Sequence, residues 1–201
     1  MSMNTVSTLS GLAALCVVGS SSAAIITFTQ QNVWQNYSAL QGAGVYTETF
    51  SGIADGFYNS YSGSTGVANW TAAANGGLYV QGGLFSTNNP TALNFDLGSG
   101  VNGLAGSFFA TDINFNVVPS IVTLTLSDGS GFIAYIDSAN AYTGFYSTGA
   151  LITSIRIEAA AVSAGNVYPT ADTMQFAVVP APGALVLAGV AAAVGGLRRR
   201  R

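Results

Sequence analysis

The chain has 201 residues, 49% hydrophobic and only 6% charged, with five Arg or Lys, eight Asp or Glu, one Cys and no His. Every one of the five cations is an Arg, so Ser-His-Asp triads, lysine Schiff bases and His-ligated zinc are excluded together. Four of the arginines form the extreme C-terminus, which leaves Arg156 against eight carboxylates elsewhere and excludes nucleic acid as a partner.

Residues 1–24 read as a secretory signal peptide. An apolar stretch from Val6 to Val18 is followed by Gly19-Ser20-Ser21-Ser22-Ala23-Ala24, small residues that fit a signal peptidase cleft, with cleavage after Ala24 or Ala23. The stretch before Val6 has no Lys or Arg, and a buried N-terminal helix is the alternative reading. Cys16 follows Leu15, too large for the residue that precedes a lipidated cysteine, so no lipid anchor is expected. Removal of Cys16 with the leader leaves an exported domain without disulfides.

Residues 25–179 then make one ectodomain of ordinary size. The hydrophobic period is two nearly throughout. In Ile121-Val122-Thr123-Leu124-Thr125-Leu126-Ser127 the apolar and hydroxyl residues alternate, Asp128-Gly129 is a tight-turn dipeptide, and Phe132 to Ile136 returns. Residues 121–136 are therefore a predicted hairpin. Further strands are predicted at 25–29, 45–50, 67–73, 77–81, 92–97, 103–110, 142–147, 152–158 and 172–179. One helix is predicted from Asn32 to Leu40, capped by Asn32, with Val33, Trp34, Tyr37 and Leu40 on one face. Many short strands between Gly, Ser, Asn and Pro turns, without a fixed repeat, predict an all-β antiparallel sandwich, jelly-roll-like in arrangement.

The chemistry left to such a chain is that of carboxylates and neutral polar groups. Glycoside hydrolysis by two acids is the enzyme class that survives. Asp96 is out of phase with Leu93, Phe95 and Leu97, while Asp55, Asp128 and Asp137 sit in turn contexts, and Arg156 and Glu158 share the polar face of their strand as an exposed cross-strand ion-pairing surface. A non-enzymatic protein is expected. Glu48 shares parity with Tyr46 and Phe50, and Asp172 with Met174 and Phe176, so both acids are predicted to point inward, where a carboxylate needs compensation. Backbone donors at a strand end and a bound cation are the two ways to supply it. Trp70 and Tyr79, with Tyr58, Tyr61 and Tyr142, are the candidates for a platform on which sugar rings stack; core packing is the competing role for each.

The chain ends in Val179-Pro180-Ala181-Pro182-Gly183, an apolar run to Leu197, and Arg198-Arg199-Arg200-Arg201. As a helix, 183–197 would rise roughly 22 Å, short of the roughly 30 Å hydrocarbon core, and the arginines would hold its end on the cytoplasmic side. This prolyl elbow, short apolar helix and arginine cluster, behind a signal peptide, resemble the PEP-CTERM sorting tail, here over residues 180–201. The family's middle Glu is replaced by Ala181. The resemblance implies an exported protein held transiently in the inner membrane by the tail, cut by an exosortase-like protease, and released to the cell surface or outside. The strand pattern also loosely resembles carbohydrate-binding-type jelly rolls, in which an early-strand acid and a terminal-strand Asp share a structural Ca²⁺. That resemblance implies Ca²⁺ at Glu48 and Asp172, with Asp112 as a third ligand. The expected function is that of a non-enzymatic cell-envelope or matrix protein sorted by its tail. A carbohydrate-binding module acting on exopolysaccharide is the alternative, and a carboxylate-dependent glycoside-active enzyme the next.

Overall fold

The computed structural model describes residues 24–163 and 165–180. The expected signal peptide, the short membrane helix, the arginine cluster and the Ala181-Pro182-Gly183 part of the sorting motif lie outside the described residues. Twelve strands and one helix follow each other as β1 (Ile25–Phe28), α1 (Gln31–Leu40), β2 (Gly44–Glu48), β3 (Gly56–Thr65), β4 (Ala68–Gln81), β5 (Leu84–Thr87), β6 (Leu93–Val101), β7 (Gly103–Thr111), β8 (Ser120–Leu126), β9 (Gly131–Ile136), β10 (Tyr142–Ser147), β11 (Ile152–Ala161) and β12 (Tyr168–Val178). All pairings are antiparallel, in the order β1-β10-β7-β12-β5-β4-β6-β11-β8-β9, with β2 added to β12 and β3 to β4. β7 and β12 pack across the interior against β6, β8 and β11. The sheet thus folds over itself as a sandwich joined along one side by β5 and β4.

Alternation places the core between the layers. Val122, Leu124 and Leu126 of β8 are buried, and so are Ile155 and Ile157 opposite them on β11, while Ile121 and Thr125 turn away. Phe50, Trp70, Phe85, Phe95, Phe108 and Phe176 fill the centre. α1 covers the other face of the β10–β7 region through Trp34, which is fully buried and donates its indole N–H to the Phe145 carbonyl at 2.9 Å. Val33 and Leu40 of that helix are exposed, contrary to the expected apolar stripe, because only one turn of a short helix reaches the sheet. Asn32 is inside the helix rather than its cap; Gln30 precedes it in extended conformation and makes no side-chain capping bond.

The four-residue β5 was not expected, and three further departures from the predicted strands have local causes. The strands expected at 67–73 and 77–81 are one, β4, because Gly76 and Gly77, at φ 88° and 89°, let the chain bulge without reversing. β3 was not expected, since its Gly-, Ser- and Asn-rich sequence carries no period-two apolar pattern. It is held against β4 by closeness: a Cβ on Gly63 would collide with the ring of Trp70, its register partner. β12 begins at Tyr168 rather than 172, with Pro169 accommodated in it.

Both described chain ends leave from the same end of the sandwich, where Asn102 ties them. Its backbone N–H donates to the Ala177 carbonyl and its carbonyl accepts from Ser147 N–H, while its side-chain Oδ1 accepts from Val179 N–H at 2.8 Å. Ala24 is bonded to Thr148 next to Ser147. At the far end of the same strands, Thr111 of β7 pairs with Tyr168 of β12. Eleven residues of β12 separate the two ends, about 35 Å of extended chain.

Candidate functional site

The end remote from the two described chain ends carries a cavity of about 310 Å³. β4 contributes Tyr79 and Gln81, β5 contributes Ser86 and Thr87, the turn after β7 contributes Asp112 and Phe115, and β12 contributes Tyr168. Tyr79 is an odd residue of a strand whose even residues Leu78 and Val80 are buried, so alternation presents it outward, 39% exposed. Its ring stands 6.0 Å from that of Phe115 at 49°. Phe115 has φ 63°, a conformation costly for an aromatic residue, and Asp112 holds it there. One carboxylate oxygen of Asp112 accepts the N–H groups of Asn114 at 2.8 Å and Asn116 at 2.9 Å, and the other accepts the Asn116 side-chain amide at 2.9 Å. Phe115 N–H closes the turn on the Asp112 carbonyl. These bonds, the Asn116 side chain first, keep the Asp112 carboxyl below the usual carboxylate range, so it is ionised at neutral pH.

Under the aromatic pair runs a buried chain of hydroxyls across β7, β12 and β5. Thr111 Oγ1 lies 3.0 Å from Thr170 Oγ1, which donates to Ser86 Oγ at 2.8 Å, and Ser86 donates to the Pro169 carbonyl at 3.3 Å. Thr87, next in the chain and only 3% exposed, has a hydroxyl with no partner. Thr87 is the register partner of the buried Leu78, so it shares the core face, turned away from Tyr79, and its unpaired hydroxyl is a cost carried by the interior.

Two further cavities border Trp70, whose 2% exposure leaves no indole face to stack on, with Asp96 on one and Glu48 and Tyr61 on the other. The cavity around Arg156, Glu158, Asn75 and Pro90 is larger, about 400 Å³, but no aromatic residue lines it. Arg156 donates to Glu158 at 2.7 Å along β11, both side chains about half exposed, so the expected cross-strand ion-pairing surface is a pair within one strand. Each raises the ionised share of the other: Arg156 is pushed up, and Glu158 down, by that hydrogen bond.

The five aromatics expected as a platform are dispersed. Trp70 is 2% exposed and packed within 6 Å of Phe50, Phe85 and Phe95, so it is a core residue and not a stacking surface. Tyr61 stacks on Trp70 and Tyr58 meets Tyr61 edge-on. Tyr142, on another face, donates to Gln175 Oε1 at 3.2 Å, and burial raises its pKa. Tyr79 alone of the five lines the cavity. Phe115 and Tyr168 were missed in the sequence because loop and pre-proline positions carry no period.

The three acids expected to bind Ca²⁺ are not brought together, and among the described residues no three Asp, Glu, His or Cys side chains gather as a metal site. The reason is a bulge. Asp172 pairs with Ser107 but Gln175 pairs with Ala105, so β12 carries an extra residue at Thr173, whose φ is 48°. The bulge reverses the phase, and Asp172 shares its face with Gln175 rather than with Met174. Glu48 is the partner of Met174 and belongs to the opposite face. Its oxygens accept the Phe50 N–H at 2.9 Å and the Thr65 hydroxyl at 2.6 Å, the strand-end solution to a half-buried acid. Asp96, Asp55 and Asp128 accept the backbone N–H groups of Gly98, Gly82 and Ser130, as turn and surface acids do.

No protein-family model matches this chain, and no curated protein matches it. Two solved structures are similar in shape. One is described as a carbohydrate binding module of family 29, at 13% identity, covering 69% of this chain and 95% of that one, with a TM-score of 0.37. The other is a mutant family 29 module complexed with cellulohexaose, at 14% identity, covering 66% and 91%, with a TM-score of 0.35. At such values the reading of the site rests on this chain's own residues.

Proposed function

We propose that this chain is an exported, non-enzymatic protein of the cell envelope or extracellular matrix whose jelly-roll-like domain holds polysaccharide in the Tyr79–Phe115 cavity. The observation that carries the binding half is the pairing of those two rings over neutral hydrogen-bonding groups. A sugar ring has an apolar C–H face and a rim of hydroxyls, and it is met by an aromatic face with amides and hydroxyls around it. Gln81 and Asn88, both exposed, supply that rim. The non-enzymatic half is supported by the scarcity of acids in the cavities described above, of which each has one carboxylate at most, whereas hydrolysis needs a pair roughly 5 to 9.5 Å apart.

Export and sorting rest on the sequence at the two ends. In this reading signal peptidase removes 1–24, the helix 183–197 stalls in the membrane, and an exosortase-like protease cuts the strip after β12. Val179 and Pro180 are exposed where β12 ends, which leaves the start of the prolyl strip open to a protease. Affinity electrophoresis of the full-length protein through gels containing exopolysaccharide tests the binding half: retardation is expected, and Tyr79→Ala is expected to remove it. Deleting Arg198 to Arg201 tests the sorting half, because without the positive stop the protein should slip through and reach the medium uncut. Identical fractionation and the same C-terminal residue by mass spectrometry would refute sorting.

A further inference from the structure

We propose that the Tyr79–Phe115 cavity selects glycans that carry free amino groups, such as polymers of glucosamine, over neutral and acidic ones, a proposal that rests on the glycan-binding reading of the same site. The wall of the cavity contains one charged group, Asp112. Its Oδ1 accepts two backbone N–H groups and its Oδ2 a single amide hydrogen, so of the roughly four acceptor positions a carboxylate offers, Oδ2 retains one. An ammonium is the donor that such a position rewards most, since a charge-assisted hydrogen bond is stronger than a neutral one.

The surroundings bias the choice the same way. Asp55 accepts from Gly82, the neighbour of Gln81 on the rim, and adds a second exposed carboxylate nearby. Among the described residues Arg156 is the one Lys or Arg, and it is held by Glu158 on another cavity. Nothing in the site therefore meets a uronate or sulfate, and the eight carboxylates of the domain repel both. Gln81, Asn88 and the two rings serve any pyranose equally, which leaves Asp112 as the discriminating group.

At about pH 5.5, where the amino sugar is protonated and Asp112 is ionised, β-1,4-linked glucosamine hexaose and cellohexaose differ at carbon 2 alone, ammonium against hydroxyl, and they make the test. With full-length protein in mild detergent at low ionic strength, calorimetry should give roughly tenfold tighter binding of the amino sugar, and the gap should close in about 0.5 M salt. Asp112→Asn, which keeps the acceptor for the Asn114 and Asn116 N–H groups, should bring the two ligands to equal affinity. The salt dependence of the unaltered protein keeps the proposal testable should that variant misfold. Equal binding of both sugars by the unaltered protein, or a preference that survives in a folded Asp112→Asn variant, would overturn amino-sugar selection while leaving glycan binding intact. If neither sugar binds, nor the exopolysaccharide, the glycan-binding reading itself fails.

Discussion

Trp70 and Tyr79 lie on the same strand, nine positions apart, and face opposite worlds. Trp70 is enclosed by three phenylalanines, its indole N–H unpaired, with Gly63 pressed against its face; Tyr79 stands at the mouth of a cavity beside Phe115. Both are large aromatics in a chain poor in charge, and residue type alone does not separate them. Parity does. Even positions of β4 turn to the core and odd ones to water on both sides of its glycine bulge, so Trp70 stabilises and Tyr79 is free to bind.

The largest effect that sharpens this contrast is on stability. Trp70→Ala should lower the unfolding free energy by about 3 to 5 kcal/mol, whereas Tyr79→Ala should change it by less than about 1, read from urea midpoints at equal slope. Equal midpoints would break the division between inward and outward aromatics. The same division on β8 predicts that Leu124→Ala costs about 2 to 5 kcal/mol and Thr125→Ala well under 1. Leu124 is 1% exposed, and Thr125 lies beside Arg156 on the wet face.

Binding should show the reverse order. Tyr79→Ala should weaken retention by polysaccharide about tenfold in a folded protein, while Tyr135→Ala, more exposed but on the distant edge strand β9, should leave it unchanged. The smallest effect is expected in acid. Asp112, Asp128 and Glu158 all have lowered folded pKa values, from hydrogen bonds to Asn116, Ser130 and Arg156 respectively. Their contribution is complete above the ordinary carboxylate range and is lost as pH falls through the lowered values. Melting temperature should therefore be level from about pH 7 to about pH 5 and decline toward about pH 3. A rise in that window would mean that an acid with a raised folded pKa dominates.

The β8–β9 hairpin could be read from sequence because three signals agree there: alternation, a turn dipeptide and a returning apolar run. Gly129, with φ 83°, makes the reversal, and Asp128 accepts from Ser130 across it. Asp172 could not be read, since one inserted residue at Thr173 inverts a period-two inference and nothing in Asp-Thr-Met announces the bulge. Phe115 was hidden differently. Its placement depends on a side chain three residues earlier capturing the turn, a contact that period counting does not sense, although Asp112-Ile113-Asn114 is the kind of Asx-turn sequence that carries a hint of it. The cavity joins β4, β5, the turn after β7 and the start of β12, segments up to ninety residues apart, and no local pattern brings those together.

Asn102 and Tyr168 mark the two extremes of one mechanical element. A polymer gripped in the cavity and a tail held at its other end would pull along β12 lengthwise, in opposite directions. β12 is an interior strand, bonded to β7 along one side and to β5 and then β2 along the other. Tension applied that way loads those ladders in shear, so their hydrogen bonds resist as a group instead of opening one after another. Asn102 adds a side-chain bond to Val179 at the point where the pull would enter the domain. Peeling begins at an edge, and this line of force meets none.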